Sequence, residues 1–349
     1  MSSRWPGLAW MACIAIAGCS GKHASSPVDA TAPPPMAQSD SDQFDQDDPC
    51  SLVEPKEVEA VLGAPLGTPP YRASNSTPAA DGSDCIYQTA NFHQIIFTVE
   101  FKDGAQSYQM TGFAKKLLGG APTDSAKKAL TLDDGTELSG EWDEANLTAM
   151  NCCIFNALRG DQMITIDFTA TEAALPQAAS LVDAAYKRID KPLKLDGAAN
   201  VPAAREFLKT RPKPIAACSV LSQKEVEAIV GPLISAPVAR SNSTCEYNLP
   251  PQGAIPRVYE LTYEWQGAYA SVRSDAHTAR IAGMAMGGAA TKADAPLPPA
   301  GAPGDPWERA GLFYNDFVAL KKDVEIKIDH RALDDAKVKA LVAAAMRKF

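Results

Sequence analysis

The stretch "CSLVEPKEVEAVLG", residues 50–63, returns at residues 218–231 as "CSVLSQKEVEAIVG". Three more blocks recur behind it in the same order. "SNST" stands at 74–77 and 241–244, followed by "CIY" at 85–87 and "CEY" at 245–247. "FTVEF" (97–101) matches "LTYEW" (261–265), and "ALRGDQMITIDF" (157–168) matches "ALKKDVEIKIDH" (319–330). Each copy closes on an alanine-rich amphipathic run. Ordered self-similarity of this kind marks a tandem duplication. The copies span 48–191 and 214–349, and a Pro- and Lys-rich connector, 192–213, lies between them with one helical turn expected at "AAREFLK".

Both opening blocks carry helix signals. Ser222 stands three residues before Glu225, the spacing of a capping box. Pro55 suits a first helical position, where its missing N–H costs nothing. Val58, Val61 and Leu62 repeat at helical spacing, as do Val226, Ile229 and Val230. Gly63 and Gly231 supply the stop. "IIFTVEF" and "YELTYEW" read as strands. Residues 104–118 read as a second helix, with a longer counterpart ending at Gly287 and Gly288. "NCCIFNAL" and "MITIDF" form a hairpin across "RGDQ". Each copy is therefore helix, strands, helix, strands, helix. The expected fold class is α+β: two tandem homologous domains, each an antiparallel sheet with helices on one or both faces.

The N-terminus is read as a targeting segment. Arg4 precedes an apolar run, residues 8–18, too short to cross a hydrocarbon core of roughly 30 Å. The run ends in "IAGC", Ile16 to Cys19, which resembles the lipobox of bacterial lipoproteins. The resemblance implies a signal peptide over 1–18 and a mature chain whose first residue, Cys19, carries lipid and attaches it to the membrane. Ser20 behind the cysteine implies sorting to the outer membrane, facing the periplasm. Residues 19–47 are rich in Ser, Pro, Ala and acids, with little to bury, and read as a disordered tether. The whole chain of 349 residues has a formal charge of −9. Losing residues 1–18, which hold Arg4 and no acid, takes it to −10. Such a surface disfavours nucleic acid as a partner.

Six cysteines follow Cys19: Cys50, Cys85, Cys152, Cys153, Cys218 and Cys245. In an exported chain disulfides persist. Spacing alone leaves the connectivity open, but only Cys50 and Cys85 have counterparts in the second copy. The expected staples are Cys50–Cys85 and Cys218–Cys245. Cys152 and Cys153 match Tyr314 and Asn315 and so belong to one copy. Adjacent Cα atoms lie about 3.8 Å apart, short of the roughly 4.4–6.8 Å of an unstrained disulfide. A strained vicinal bridge, two free thiols and a reshuffled pairing all remain open. A functional use would be redox or soft-metal chemistry. The plainer use is one buried small hydrophobe beside one surface thiol, and the absence of any CxxC or nearby His–Cys cluster favours it.

Signals for catalysis are few. His23, His93, His277 and His330 occupy no matching positions, and GxSxG, HExxH and P-loop patterns are absent. Asp161 and Asp167 match Asp323 and Asp329, but turn and strand-end roles account for them. "RGD" at 159–161 faces "KKD" in the other copy, which fits a hairpin tip. The expectation is no enzyme, no metal and no cofactor.

The opening "CS-L/V-x-x-x-KEVEA-x-x-G", with a cysteine beside a tyrosine about thirty residues on, resembles an uncharacterised class of bacterial lipoprotein domains. Those domains open with Cys-Ser-Leu-Leu and a helix carrying Glu-Val and then Leu-Gly. Cys50, Ser51, Leu52, Glu57, Val58, Leu62 and Gly63 fit, as do Cys218, Ser219, Glu225, Val226 and Gly231. Val220 and Val230 replace leucines, and the tandem arrangement departs from the single-domain form of the class. The resemblance implies an exported, disulfide-stapled α+β domain, of which a PsbP-like sandwich is one form, and brings no catalytic residues. The functional expectation is a lipid-anchored, non-enzymatic binding or accessory module. Its partner would be an envelope protein or a small apolar ligand. The alternative is a thiol-dependent redox or soft-metal protein using Cys152 and Cys153, with a hydrolase third.

Overall fold

The computed structural model describes residues 47–117, 126–131, 137–148, 153–252, 255–265, 267–274, 297–313, 316–329 and 333–349. The expected signal peptide, Cys19, most of the tether, Cys152 and the end of the longer helix at Gly287 and Gly288 lie outside them.

The repeated stretch folds the same way twice. After a 3-10 turn at Pro49–Ser51, α1 runs from Pro55 to Leu62, with proline in its first turn, and stops at Gly63 with φ of 67°. In the second copy α5 (Ala217–Val220) precedes α6 (Gln223–Val230), which ends at Gly231 with φ of 93°. These positive φ values are where glycine is favoured. Val58 and Val226 are fully buried, each in its own copy's core, a contribution of about 1.5–3 kcal/mol per side chain.

The glutamate of "KEVEA" does two things at once. Glu57 Oε2 accepts the backbone N–H of Glu54 at 2.9 Å, and Glu225 Oε2 accepts that of Ser222 at 2.8 Å. The same carboxylates reach the last helix of their copy. Glu57 takes both arms of Arg188 in α3 (Leu175–Arg188) at 2.7 Å, and Glu225 takes Lys348 Nζ, just past α8 (Asp335–Met346), at 2.6 Å. The first element of each copy is thereby fastened to the last.

In the first copy the strands are β1 (Tyr71–Ser74), β2 (Thr77–Pro78), β3 (Asp84–Gln88), β4 (Gln94–Glu100), β5 (Ala126–Thr131), β6 (Glu137–Leu147), β7 (Ile154–Arg159) and β8 (Gln162–Asp167). In the second they are β9 (Val238–Ala239), β10 (Thr244–Gln252), β11 (Ile255–Trp265), β12 (Arg309–Phe313), β13 (Asp316–Lys321) and β14 (Val324–Asp329). The sheet orders are β2-β1-β3-β4-β8-β7-β6-β5 and β9-β10-β11-β14-β13-β12, antiparallel throughout. Matching positions pair alike: Thr98 faces Thr165 as Thr262 faces Lys327. The α+β reading with two related sheet units is the observed architecture. The two "SNST" segments diverge. In the first copy Asn75 and Ser76 take left-handed φ values of 49° and 64° and turn β1 into β2. In the second the segment leads straight into β10.

One face of each sheet meets the final helix. Phe97, Phe155, Ile164 and Ile166 pack with Ala178, Leu181, Val182 and Ala185 of α3. Leu261, Phe317, Ile326 and Ile328 pack with Val338, Leu341, Val342 and Ala345 of α8. Across the sheet the first copy shows a polar ladder. Thr98 donates to Asp84, Thr165 to Asn156, and Asn156 to Asn146 and Thr148. The ladder satisfies the buried Asn156 amide.

The connector differs from the reading as a spacer with one helical turn. It holds a two-turn helix, α4 (Val201–Leu208), with Pro202 in its first turn. Ala204 is buried with Tyr71, Ala73 and Ile86 on the outer face of β1 and β3. Gly197 N–H donates to Asp48 Oδ2 at 2.7 Å, Gly197 O accepts from Arg72 N, and Leu193 N–H donates to Ser51 O. The sequence signal that matters is the apolar spacing Val201, Ala204, Phe207 rather than the Pro and Lys content. The second sheet presents Val238, Glu246 and Glu260 where the first has Tyr71, Ile86 and Ile96, as the cross-strand pairs show. Glu260 and Val238 are exposed. That face carries charge where the first copy carries the apolar seat of α4.

The sheet edge beyond β12 is occupied by a proline-rich run. Ala300 bridges Arg309, and Pro299 O accepts from Ala310 N. Prolines without N–H groups blunt an edge that would otherwise invite further strands.

Candidate functional site

The two expected staples are present. Cys50–Cys85 and Cys218–Cys245 are disulfides with Cα separations of 5.0 and 4.9 Å. Each sits beside a tyrosine that repeats the tie. Tyr87 O–H donates to Val53 O at 3.0 Å, and Tyr247 O–H donates to Leu221 O at 3.3 Å. Burial pushes both phenols up, Tyr247 to about 12. Cys153 is disulfide-bonded and buried in the first core. The reshuffled pairing and a free Cys153 thiol are thereby excluded. In this state Cys153 offers no thiolate to a metal or an oxidant.

The hairpin aspartates also repeat a role, though not the local turn bond expected of them. Asp161 accepts the backbone N–H groups of Asp103 and Ala105 at the start of α2 (Gly104–Leu117). Asp323 accepts Gly267 N–H at 2.6 Å, ahead of the helix at 268–274, here α7. Each caps a helix about 56 residues away in the chain, which local sequence reading does not reach. Asp167 accepts Thr169 N–H, the strand-exit role.

Among the described residues, a set of ionisable side chains lies where the copies meet. From the first copy come His93, Phe92 and the 168–173 loop, and from the connector Arg211. From the second come Tyr269 and Arg273 on α7, Glu308, Arg309 and Asp323. Arg273 is 6% exposed and donates to the carbonyls of Phe168 and Thr171, with its guanidinium 5.6 Å from the Phe168 ring centroid. Arg309 forks onto both oxygens of Glu172, which holds that carboxyl below its usual range. Arg211 lies over the Phe92 ring and pairs with Asp323 at 2.9 Å. Burial nevertheless pushes the Asp323 carboxyl up.

His93 is the centre of this set. Its ring stands edge-on to Tyr269 at 4.1 Å, and Nε2 is 3.9 Å from Glu308 Oε2. Tyr269 O–H donates to that same oxygen at 3.1 Å. The His93 side chain is 14% exposed, and its Nε2 has no hydrogen-bond partner. Burial pulls the imidazole below the ordinary value, against the pull of Glu308 and Glu172. The group can take up a proton. The Tyr269 phenol beside it has its proton held by burial and by Glu308, so it is no nucleophile at neutral pH.

No family model, no curated protein and no solved structure matches the chain.

Among the described residues no group of three or more His, Cys, Asp or Glu side chains is placed to hold a metal ion. No described helix is long and apolar enough to cross a membrane. Sequence reading singled out His93 as unmatched but missed Tyr269, Arg273, Glu172, Glu308 and Arg309. A signal was present in the difference between copies. With "FTVEF" aligned on "LTYEW", Tyr269 and Arg273 stand where the first copy has Ala105 and Gln109. A side chain that faces the other copy need not repeat.

Proposed function

We propose that this protein is a lipid-anchored cell-envelope component, held through Cys19 at the outer membrane and facing the periplasm. Its two copies act as a non-enzymatic binding or accessory module. The reading of the anchor rests on "IAGC" and the polar tether behind it. The reading of the module rests on one observation: every polar feature traced in both copies serves the framework. The staple, the tyrosine tie, the glutamate clamp and the aspartate cap recur. A duplication that kept a reaction would be expected to repeat a reacting group, and none of these is one. The partner is an envelope protein or a small apolar ligand.

Native mass spectrometry of the protein gently extracted from its own envelope tests this. A bound small mass makes it a carrier, and a bound protein makes it an assembly partner. A bare monomer refutes any tight-binding form of the reading. The alternative, redox chemistry through Cys152 and Cys153, is supported by the bonded state of Cys153. It requires that the bridge open to two titratable thiols under mild reductant while both staples stay closed.

A further inference from the structure

We propose that the junction between the copies is an acid-sensitive joint, in which protonation of His93 loosens the first copy from α7 and the 297–309 segment of the second. The inference rests on the geometry of the junction and not on the cellular location. His93 belongs to the loop between β3 and β4, and its own loop pins it by the Thr89 N–H to His93 O bond. The groups facing it come from three places. Tyr269 stands on α7, Glu308 and Arg309 precede and open β12, and Glu172 precedes α3. Arg273 lies further along the Glu172 side.

An imidazolium in this place would need an acceptor at Nε2. The nearest carboxylate oxygen is 3.9 Å away and already accepts the Tyr269 O–H. Glu172 is engaged by both arms of Arg309. The positive Arg309 opposes a second cation, and burial opposes any. Opening the junction returns His93 to water, where a proton is held at the ordinary value of 6.5. The closed form therefore binds fewer protons than the open one below that value. Its advantage is full above pH 6.5 and falls as pH drops below it. One linked proton can raise the opening constant by up to about tenfold per pH unit.

The experiment is hydrogen exchange by mass spectrometry on the full chain at pH 7.5, 6.5 and 5.5, corrected for intrinsic rates. Expected is faster exchange in acid for peptides covering 89–94, 168–174, 268–274 and 307–310, with the β3, β4 and β8 peptides unchanged. His93→Gln should abolish the acid response. Glu308→Gln removes a carboxylate that helps closed His93 hold a proton; the onset should stay near pH 6.5 and the acceleration at pH 5.5 should be equal to or larger than in the wild type. Proton NMR of the wild-type imidazole should show His93 titrating below 6.5. Titration at or above 6.5, equal exchange at all three pH values, or an unchanged acid response in His93→Gln each overturns the proposal.

Discussion

The two staples allow one experiment to be run on both copies. The cysteines of the first are 35 residues apart and those of the second 27. Closing such loops removes conformational freedom from the unfolded chain, worth about 3.8 and about 3.6 kcal/mol at 25 °C. Replacing a pair by alanine also leaves a small void, on the order of 1 kcal/mol. The void matters more in the first copy. There Cys50 and Cys85 are fully buried, and Gly197 of the connector lies so close to Cys50 that an added Cβ would sit 2.6 Å from the sulfur. Cys50→Ala with Cys85→Ala should therefore cost about 4–5 kcal/mol, and Cys218→Ala with Cys245→Ala about 4. At a urea slope of about 2 kcal/mol per molar, each midpoint falls by about 2 M. Trp142 packs in the first core and Trp265 and Trp307 against the second, so a Trp142→Phe background reports the second copy by fluorescence and a Trp265→Phe, Trp307→Phe background the first. A loss of under about 1 kcal/mol in either copy would refute the reasoning, because the loop lengths leave no room for so small an effect.

Other outcomes follow from single side chains. Tyr87→Phe removes the donor to Val53 O and should lower stability by about 1–2 kcal/mol in denaturant melts. Tyr247→Phe, with a longer bond, should cost less, and the reverse order would contradict the geometry. The Glu225 carboxyl is held down to about 2 by Lys348 and Ser222. Its contribution is present above pH 4.5 and is lost as pH falls toward 2. Lys348→Met should raise the Glu225 titration seen by NMR and move acid unfolding to higher pH. Because Cys50, Cys85, Cys153, Cys218 and Cys245 are bonded, thiol titration of unfolded, unreduced protein should find at most one thiol among the cysteines after Cys19. A count of two would overturn that assignment. Cys19→Ser should move the protein from the membrane to the soluble fraction, and retention on the membrane would remove the lipid anchor from the proposed function.

Much of the fold was legible because helix ends and hairpin turns are local. Pro55, the Ser222–Glu225 box, Gly63 and Gly231 each act within a few residues of themselves. The disulfides were legible for a different reason: the second copy acted as a control for the first. What stayed hidden acts over long separations. Glu57 meets Arg188 131 residues on, and Gly197 meets Asp48 across 149. Nothing in a linear pattern says which distant partner a charge will find. The junction was hidden for a further reason. Its residues lie where the copies differ, and self-comparison draws attention to where they agree.

The docked connector has a consequence for the order in which the chain folds as it emerges from its N-terminal end. The apolar outer face of β1 and β3 is covered by residues that follow the first copy directly. Once about residue 213 has emerged, the first copy holds the cover for that face and need not borrow it from the second. The second copy, with Glu246 and Glu260 on the matching face, needs no such cover when its turn comes. Each half then reaches water with no waiting sticky face on that side, and the charged junction is left as the last contact to form. Moving the connector behind the second copy would undo this sequence while leaving every residue of both sheets in place.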